Sequence, residues 1–407
     1  MAFDWTGAQS ILAAYLNTAN TGAVYSSGYA FSVLRPSVTG GMNVLYETAA
    51  GTFSDPITLA APVPFTTSVS IPIESATKLI TCMIALAMVD AGQLNLDSTV
   101  HDLFVSVGNP DNWPAGGAVA NNGYVVPNVS MRAMLCHAAC MPSVYAQPLA
   151  IIPGYANLGS PRRTDLPNGL ADCMGLYLGT VGSPLTGSFS LQFPQPVPGT
   201  TGAPAQGSYY SYESGGYQVF ARYASLKMGV EFDSVFRTLI ANPLGFASGV
   251  TYGTIATGVT NPQAGGGLYC SLDDYNKAVQ CILNGGILNG TRILQASSVA
   301  QINVNYMGAG QPFAGAVPGI LPPPGYWNRD IGFSLGSFVE DPTVIEPHAL
   351  VSGLYFSDVG ALGATVRFIP AINAAIVMWV ANGSPMAGVN MVDAVTPEVI
   401  RQIQANP

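Results

Sequence analysis

Ser75 and Lys78 are the residues whose types and spacing best suit chemistry, in the run ESATKLITCMIALAMVDAG spanning 74–92. On a helix, positions three apart share a face, one turn from each other. A serine in the first turn has its hydroxyl beside free backbone N–H groups and the positive end of the helix dipole. Both favour an alkoxide, or the oxyanion it forms on attack. Serine needs an adjacent base to become a nucleophile, and a lysine desolvated by apolar neighbours gives up its proton more readily and can be that base. The chain has three lysines, and neither Lys227 nor Lys277 has a serine three residues before it; Ala224 and Asp274 stand there. Ser75 also reads as a helix cap and Lys78 as a lysine stretching its head to solvent, so spacing alone leaves both readings open.

The helix presenting the pair is strongly signalled. Pro72 precedes it, Gly92 ends it, and apolar residues cover most of its faces, which places it in the interior. YAFSVLR (29–35) and MNVLY (42–46) read as adjoining strands, and GATVRFIP and AAIVMWVAN as a second pair turning at Ala371–Asn373. Helices are expected over Ser130–Cys140, through YQVFARYASLKMG, over DDYNKAVQCILNGG and over the terminal MVDAVTPEVIRQIQ. The Gly/Pro-rich stretches 183–206 and 308–326 read as surface loops. Strands near both ends with helices between them predict one α/β unit built from both termini. Its parts are 1–98 and 264–407, with a mainly helical insert over 99–263.

Composition narrows the classes. Charged residues are only 9% of the chain and the net charge is -9, with Arg162-Arg163 as the densest basic cluster, so a footprint for nucleic acid is absent. No apolar run reaches the length of a membrane span, and the first 20 residues lack the pattern of a signal peptide. Either the protein stays inside the cell or the sequence is a processed form; the low lysine content and the N-x-S/T triplets at Asn128, Asn289 and Asn382 lean toward secretion or the cell envelope. Of the six cysteines, Cys82 reads as a buried thiol. Cys136 and Cys140 have no second pair at zinc-ligand spacing, so neither a metal nor another cofactor is expected.

Beyond the S-x-x-K helix and its G-x-L-x-L-D exit, VSMRAMLCHAACMP (129–142), GGGLYCSLDDYNKAVQCILNGGILNGTRIL (265–294) and ALGATVRFIP (361–370) occur in an order that matters. Together they resemble the β-lactamase/penicillin-binding-protein-like serine hydrolases over about residues 25–385. Cys140 stands where glycine is usual, and His137 matches a structural histidine of that superfamily. The resemblance implies an α/β, β-lactamase-like fold with an antiparallel sheet flanked by helices, and an acyl-enzyme on Ser75 with Lys78 as its activator. It is closest in type to the family VIII carboxylesterases.

In that superfamily a second motif, Y-x-N, supplies a tyrosine that relays a proton to the leaving group. Aligning the helix that follows selects Tyr212-Glu213-Ser214, making Tyr212 the relay and putting Ser214 in place of the asparagine; Tyr210 is the fallback. The third motif, K-T-G or H/W-x-G, falls by counting back from RFIP on Tyr355-Phe356-Ser357. Ser214, Tyr355 and Ser357 are then the substrate-binding side chains, and the oxyanion hole is formed by the backbone N–H groups of Ser75 and Asp358. Loss of a lysine and hydroxyl there removes a clamp for substrate carboxylates and points from β-lactams and D-Ala peptides toward neutral esters.

Two other constellations compete. GFSLG (332–336) fits the nucleophile-elbow pattern G-x-S-x-G, but no apolar strand precedes it and no helix follows, so it reads as part of a strand. His101, His137 and His348 form no Ser-His-Asp or metal spacing. The reading reached is a serine carboxylesterase acting on a small-molecule ester, with loops 183–206 and 308–326 as candidate pocket walls. Alternatives are an acyltransferase, a D-aminopeptidase or β-lactamase-like activity, and a catalytically silent binding homologue.

Overall fold

A computed structural model of the chain describes residues 3–16, 26–55, 61–115, 129–139, 212, 214–252, 263–306, 330–345, 350–381 and 385–407. Tyr209, Tyr210, Cys140, Cys173, His348, Arg162, Arg163, Asn128 and Asn382 lie outside them, as do the loops 183–206 and 308–326.

The fold is β-lactamase-like. Its main sheet has eight strands in the order β3-β2-β1-β13-β12-β11-β10-β9. The first three are β1 (Gly28–Leu34), β2 (Val44–Phe53) and β3 (Val63–Pro64). The others are β9 (Asp330–Phe333), β10 (Phe338–Glu340), β11 (Tyr355–Val359), β12 (Thr365–Ile369) and β13 (Ala374–Val380). Strands from the two ends of the chain meet where β1 pairs antiparallel with β13, Tyr29 opposite Val380 and Leu34 opposite Ala375. Between them, β4 (Ile71–Pro72), β5 (Thr251–Tyr252) and β6 (Leu268–Cys270) form a small sheet, and β7 (Ile287–Leu288) and β8 (Thr291–Arg292) a hairpin.

Helices cover both faces, so the central strands are apolar on both sides instead of alternating with polar residues. In β13, Ala375, Val377 and Trp379 face the core that holds the S-x-x-K helix, α2 (Thr77–Asp90). Ala374, Ile376, Met378 and Val380 face the opposite layer, made by α1 (Thr6–Ala14) and the C-terminal helix (Pro385–Ala405). This explains why AAIVMWV reads as an unbroken run: a strand buried on both faces needs no polar side. Twelve of the fourteen residues of α2 are buried, and Gly92, at φ +68°, takes the left-handed turn that closes it.

The remaining helices follow their caps. After α3 (Val100–Val105), the helix expected over Ser130–Cys140 is the short α4 (Met131–Leu135). Ser130 caps it by accepting from Ala133 N, and His137 ends it with φ +59°. Next come α5 (Gly215–Met228), stopped by Gly229 in the left-handed region, α6 (Phe232–Phe236), and α7 (Leu272–Leu283), whose N-terminus is capped by Ser271 accepting from Asp274 N. The C-terminal helix begins six residues before MVDAVT and carries Pro397 inside it. Asn289 sits in the β7–β8 turn at φ +49°. Among the described residues no helix is long and apolar enough to cross a membrane.

Candidate active site

The site forms where the N-terminus of α2 meets the outer edge of β11. Glu74–Ala76 is a 3₁₀ turn leading into α2, so Ser75 lies just ahead of the α-helix and Lys78 in its first turn. Glu74, with φ +48°, is in the left-handed region that side chains rarely adopt, which swings the chain from β4 into the helix. Lys78 is fully buried. Its Nζ donates to Ser75 Oγ at 3.0 Å and to the Gly265 carbonyl at 2.7 Å.

Gly265 was not singled out in the sequence, although the triple glycine 265–267 marks it. The turn is pinned to α2 by Leu268 N on Thr77 Oγ1 and Thr81 Oγ1 on Ala264 O, and to α5 by Ala264 N on Gln218 Oε1. A Cβ on Gly265 would come 3.0 Å from Ser214 Oγ, so the glycine permits the close approach that brings Ser214 to the site.

Tyr212 is beside the pair as well: Lys78 Nζ lies over its ring, 4.6 Å from the centroid. The ring is held by Phe338, stacked at 5.3 Å, and by His137 at 4.4 Å. Three other tyrosines around α2 commit their hydroxyls elsewhere. Tyr217 donates to Leu135 O at 2.8 Å, Tyr275 to Ala76 O at 2.9 Å, and Tyr252 lies 2.6 Å from Thr81 Oγ1. His137 is wholly buried, and burial together with the Lys78 charge holds its imidazole well below the usual histidine range, so it stays neutral.

The third motif requires a correction. Antiparallel strands place successive side chains on opposite faces, and Tyr355 and Ser357 point away from Ser75. Tyr355 packs in the layer of α1 and the C-terminal helix. Ser357 Oγ donates to Glu340 Oε2 at 2.8 Å and accepts from Arg367 Nε at 3.2 Å. Both are remote from the S-x-x-K face. The Asp358 N–H is also unsuited to an oxyanion hole. Gly360 N donates to Ala364 O at 2.7 Å, and the two-residue repeat of an antiparallel ladder puts Asp358, opposite Val366, in the same hydrogen-bonded class, facing β12.

The stretch that meets the turn carrying Ser75 lies three residues further on. A Cβ on Gly360 would overlap the Ile73 carbonyl oxygen, so only glycine fits there. Asp358-Val359-Gly360 thus has the x-x-G spacing that Tyr355-Phe356-Ser357 lacked. β10 begins at Phe338, opposite Ser357, and leaves the outer edge of β11 uncovered beyond that point among the described residues. Val359 N–H turns onto its neighbour's Oδ1 at 2.9 Å, and Ala361 N–H makes no hydrogen bond among the described residues.

Asp358 puts a carboxylate where the resemblance led us to expect a lysine, histidine or tryptophan. It is fully buried and accepts from Leu79 N at 3.3 Å. Burial pushes its carboxyl up to about 8, against the pull of the Lys78 charge and the two N–H donors. Half-buried Glu74 is likewise raised, to about 7, by desolvation. The competing G-x-S-x-G is structural: Ser334 is buried and donates to Ile302 O, and Gly336 at φ +81° lies against Leu79 of α2. His101 contacts Trp113 O through Nδ1 at 2.9 Å. Cys82, Cys136, Cys270 and Cys281 are buried free thiols, and no cluster among the described residues could hold a metal.

Residues 37–395 match the family model described as Beta-lactamase. The chain belongs to the β-lactamase family. No curated protein matches it. Solved structures with the same fold include EstCE1, a hydrolase with promiscuous acyltransferase activity, at 17% identity and TM-score 0.65, over 95% of this chain and 98% of that one. The β-lactamase/D-alanine carboxypeptidase from Yersinia pestis, complexed with citrate, aligns at 16% identity and TM-score 0.63 over 97% and 98%. Unliganded simvastatin synthase (LovD) from Aspergillus terreus aligns at 14% and 0.62 over 98% and 99%. As a member of this family the chain has the fold of a serine hydrolase, and ester cleavage, peptide cleavage and lactam cleavage all occur as options on it.

Proposed function

We propose that this β-lactamase-family protein is a serine carboxylesterase of the family VIII type, working through an acyl-enzyme on Ser75. The observation that carries the reading is the buried Lys78 amine, 3.0 Å from Ser75 Oγ with a second bond to Gly265 O. A neutral amine has two N–H groups and one lone pair; giving one N–H to Gly265 orients the lone pair toward the Ser75 hydroxyl proton. Lys78 takes that proton as the Oγ–carbonyl bond forms and the carbonyl electron pair moves onto oxygen. Backbone N–H groups of Ser75 and Ala361 hold the oxyanion. Lys78 and Tyr212 return the proton to the departing alkoxide as its C–O bond breaks, and water then releases the acid from Ser75 by the same steps.

Neutral esters suit the site better than carboxylate-bearing β-lactams or peptides. Asp358 puts a carboxyl where a lysine or histidine of the third motif would offer positive charge to a substrate carboxylate, and Ser214 offers no amide to grip an acylamino group. The likeness to EstCE1 and to simvastatin synthase supports a second outcome of the same acyl-enzyme, its capture by an alcohol in place of water. The test is hydrolysis of a short-chain aryl ester by the wild type and Ser75→Ala, with and without added alcohol. Turnover lost in the variant supports the esterase. An ester product formed with alcohol identifies acyl transfer, and equal rates in both proteins sink the reading.

A further inference from the structure

Tyr217 commits its hydroxyl to the backbone of α4 and leaves its ring at the reacting amine. Lys78 Nζ lies over that ring, 5.4 Å from the centroid, and over the ring of Tyr212 at 4.6 Å. Tyr217 is fully buried on α5, and its hydroxyl donates to the carbonyl of Leu135, the last residue of α4, at 2.8 Å. The Cys82 thiol of α2 points at the same oxygen from 3.9 Å. The His137 ring lies against both tyrosines, with centroids 4.4 Å from Tyr212 and 5.5 Å from Tyr217. The Tyr217 ring is thus held from three helices and the turn after α4, a fixed wall beside a side chain that is itself a flexible four-carbon stem.

We propose that Tyr217 is a positioning residue for the proton transfer: its ring face and that of Tyr212 form two walls that hold the Lys78 amine against Ser75 Oγ. A π face attracts an ammonium more than an amine, so the walls grip Lys78 hardest once it has taken the serine proton, and its full burial leaves that attraction unscreened by water. The role needs the ring of Tyr217; the hydroxyl serves only to anchor it on Leu135. The other titratable groups packed around the amine stay the same when this ring is changed. Cys82 on α2, Cys136 after α4 and Tyr275 on α7 are kept protonated by burial, as is Tyr217 itself, and His137 is kept neutral. Glu74 in the turn before α2 and Asp358 on β11 are the two that change charge near neutral pH. The inference rests on Lys78 acting as the base for Ser75, and the test separates the two ideas.

The experiment uses the full chain and its Tyr217→Leu and Tyr217→Phe variants, made with lysine carrying 13C at Cε. Three lysines give three NMR signals, and Lys227→Arg and Lys277→Arg identify the one from Lys78. In the wild type its ε-proton signal is expected upfield of the other two, shielded by the rings. Tyr217→Leu should move it part of the way back and lower its titration midpoint by about half a unit or more. Tyr217→Phe should keep both near the wild-type values. An unshifted wild-type signal overturns the proposal, as does a shift lost in Tyr217→Phe, and neither reading depends on whether Tyr217→Leu folds. A signal and midpoint unmoved in a folded Tyr217→Leu overturn it too. On an aryl ester, Tyr217→Leu is expected to lose about ten-fold or more in kcat at little change in KM, with the acid limb of kcat/KM moved toward lower pH. Tyr217→Phe should recover most of that rate. A rise in KM with kcat and the limb unchanged makes the ring ordinary packing and sinks the proposal. Absence of Ser75-dependent hydrolysis in the wild type overturns the esterase reading instead, and the lysine signals then still decide on Tyr217.

Discussion

Gly360→Ala is the substitution that best separates the two registers of the third motif. A Cβ at this position would sit more than 1 Å inside the 3.4 Å of ordinary contact with Ile73 O, an atom of the backbone turn that delivers Ser75. Neither partner is a flexible side-chain end, so β11 or the turn carrying Ser75 must move. Overpacking of this kind costs about 1–3 kcal/mol in stability. A shift of about 1 Å at a reacting centre costs roughly 100-fold in rate. The expected result is kcat/KM on an aryl ester down by about two orders of magnitude, with the protein still folded by circular dichroism and melting a few degrees lower. The counterpart is Tyr355→Phe, whose side chain lies on the far face of the sheet and is expected to keep wild-type kcat/KM. Wild-type activity in Gly360→Ala, or an equal loss in Tyr355→Phe, would refute the assignment of Asp358-Val359-Gly360 to the site.

Three further outcomes follow from the packing. Arg367→Met strands Glu340, which pairs with Arg367 at 3.1 Å while both are almost wholly buried; urea denaturation should show a loss of about 3–5 kcal/mol, partly recovered in the Glu340→Gln/Arg367→Met double variant. Ser130→Ala removes the cap of α4 and should cost about 1 kcal/mol in the same assay. Glu74 has a raised folded pKa, near 7, so the stability tied to its protonated form is present below about pH 4 and lost as pH rises through 7. Glu74→Gln should therefore flatten that part of the melting-temperature profile.

The sequence disclosed the fold through patterns that burial on both faces imposes. The apolar runs of β1 and β13 and the all-round apolar α2 are direct consequences of a three-layer arrangement, and their order matched the family. Ser75 and Lys78 were legible because three-residue spacing on a helix is a local geometric fact. The third motif was not, because counting back from RFIP assigns no cost to where a backbone touches another backbone. The glycine spacing at Gly360-Ala361-Leu362-Gly363 was the available signal, and the clash with Ile73 is its physical content. Strand parity would also have shown that Tyr355 and Ser357 share a face with each other and not with Asp358. The Gly265 carbonyl was hidden for a different reason: a main-chain acceptor leaves no side-chain signature beyond the glycines that let it approach. The side chain of Asp358 also escaped the sequence reading, which used only its N–H; in the fold its carboxylate accepts from Leu79 N and Val359 N.

The central claim is that Ser75 carries the acyl group. The measurement that tests it most directly is intact mass followed by peptide mapping after rapid acid quench of the protein mixed with an aryl ester. One acyl adduct on the peptide containing Ser75, absent in Ser75→Ala and slowed strongly in Lys78→Ala, is the predicted result. Ester turnover that persists in Ser75→Ala, or an adduct mapped to another residue, would contradict it.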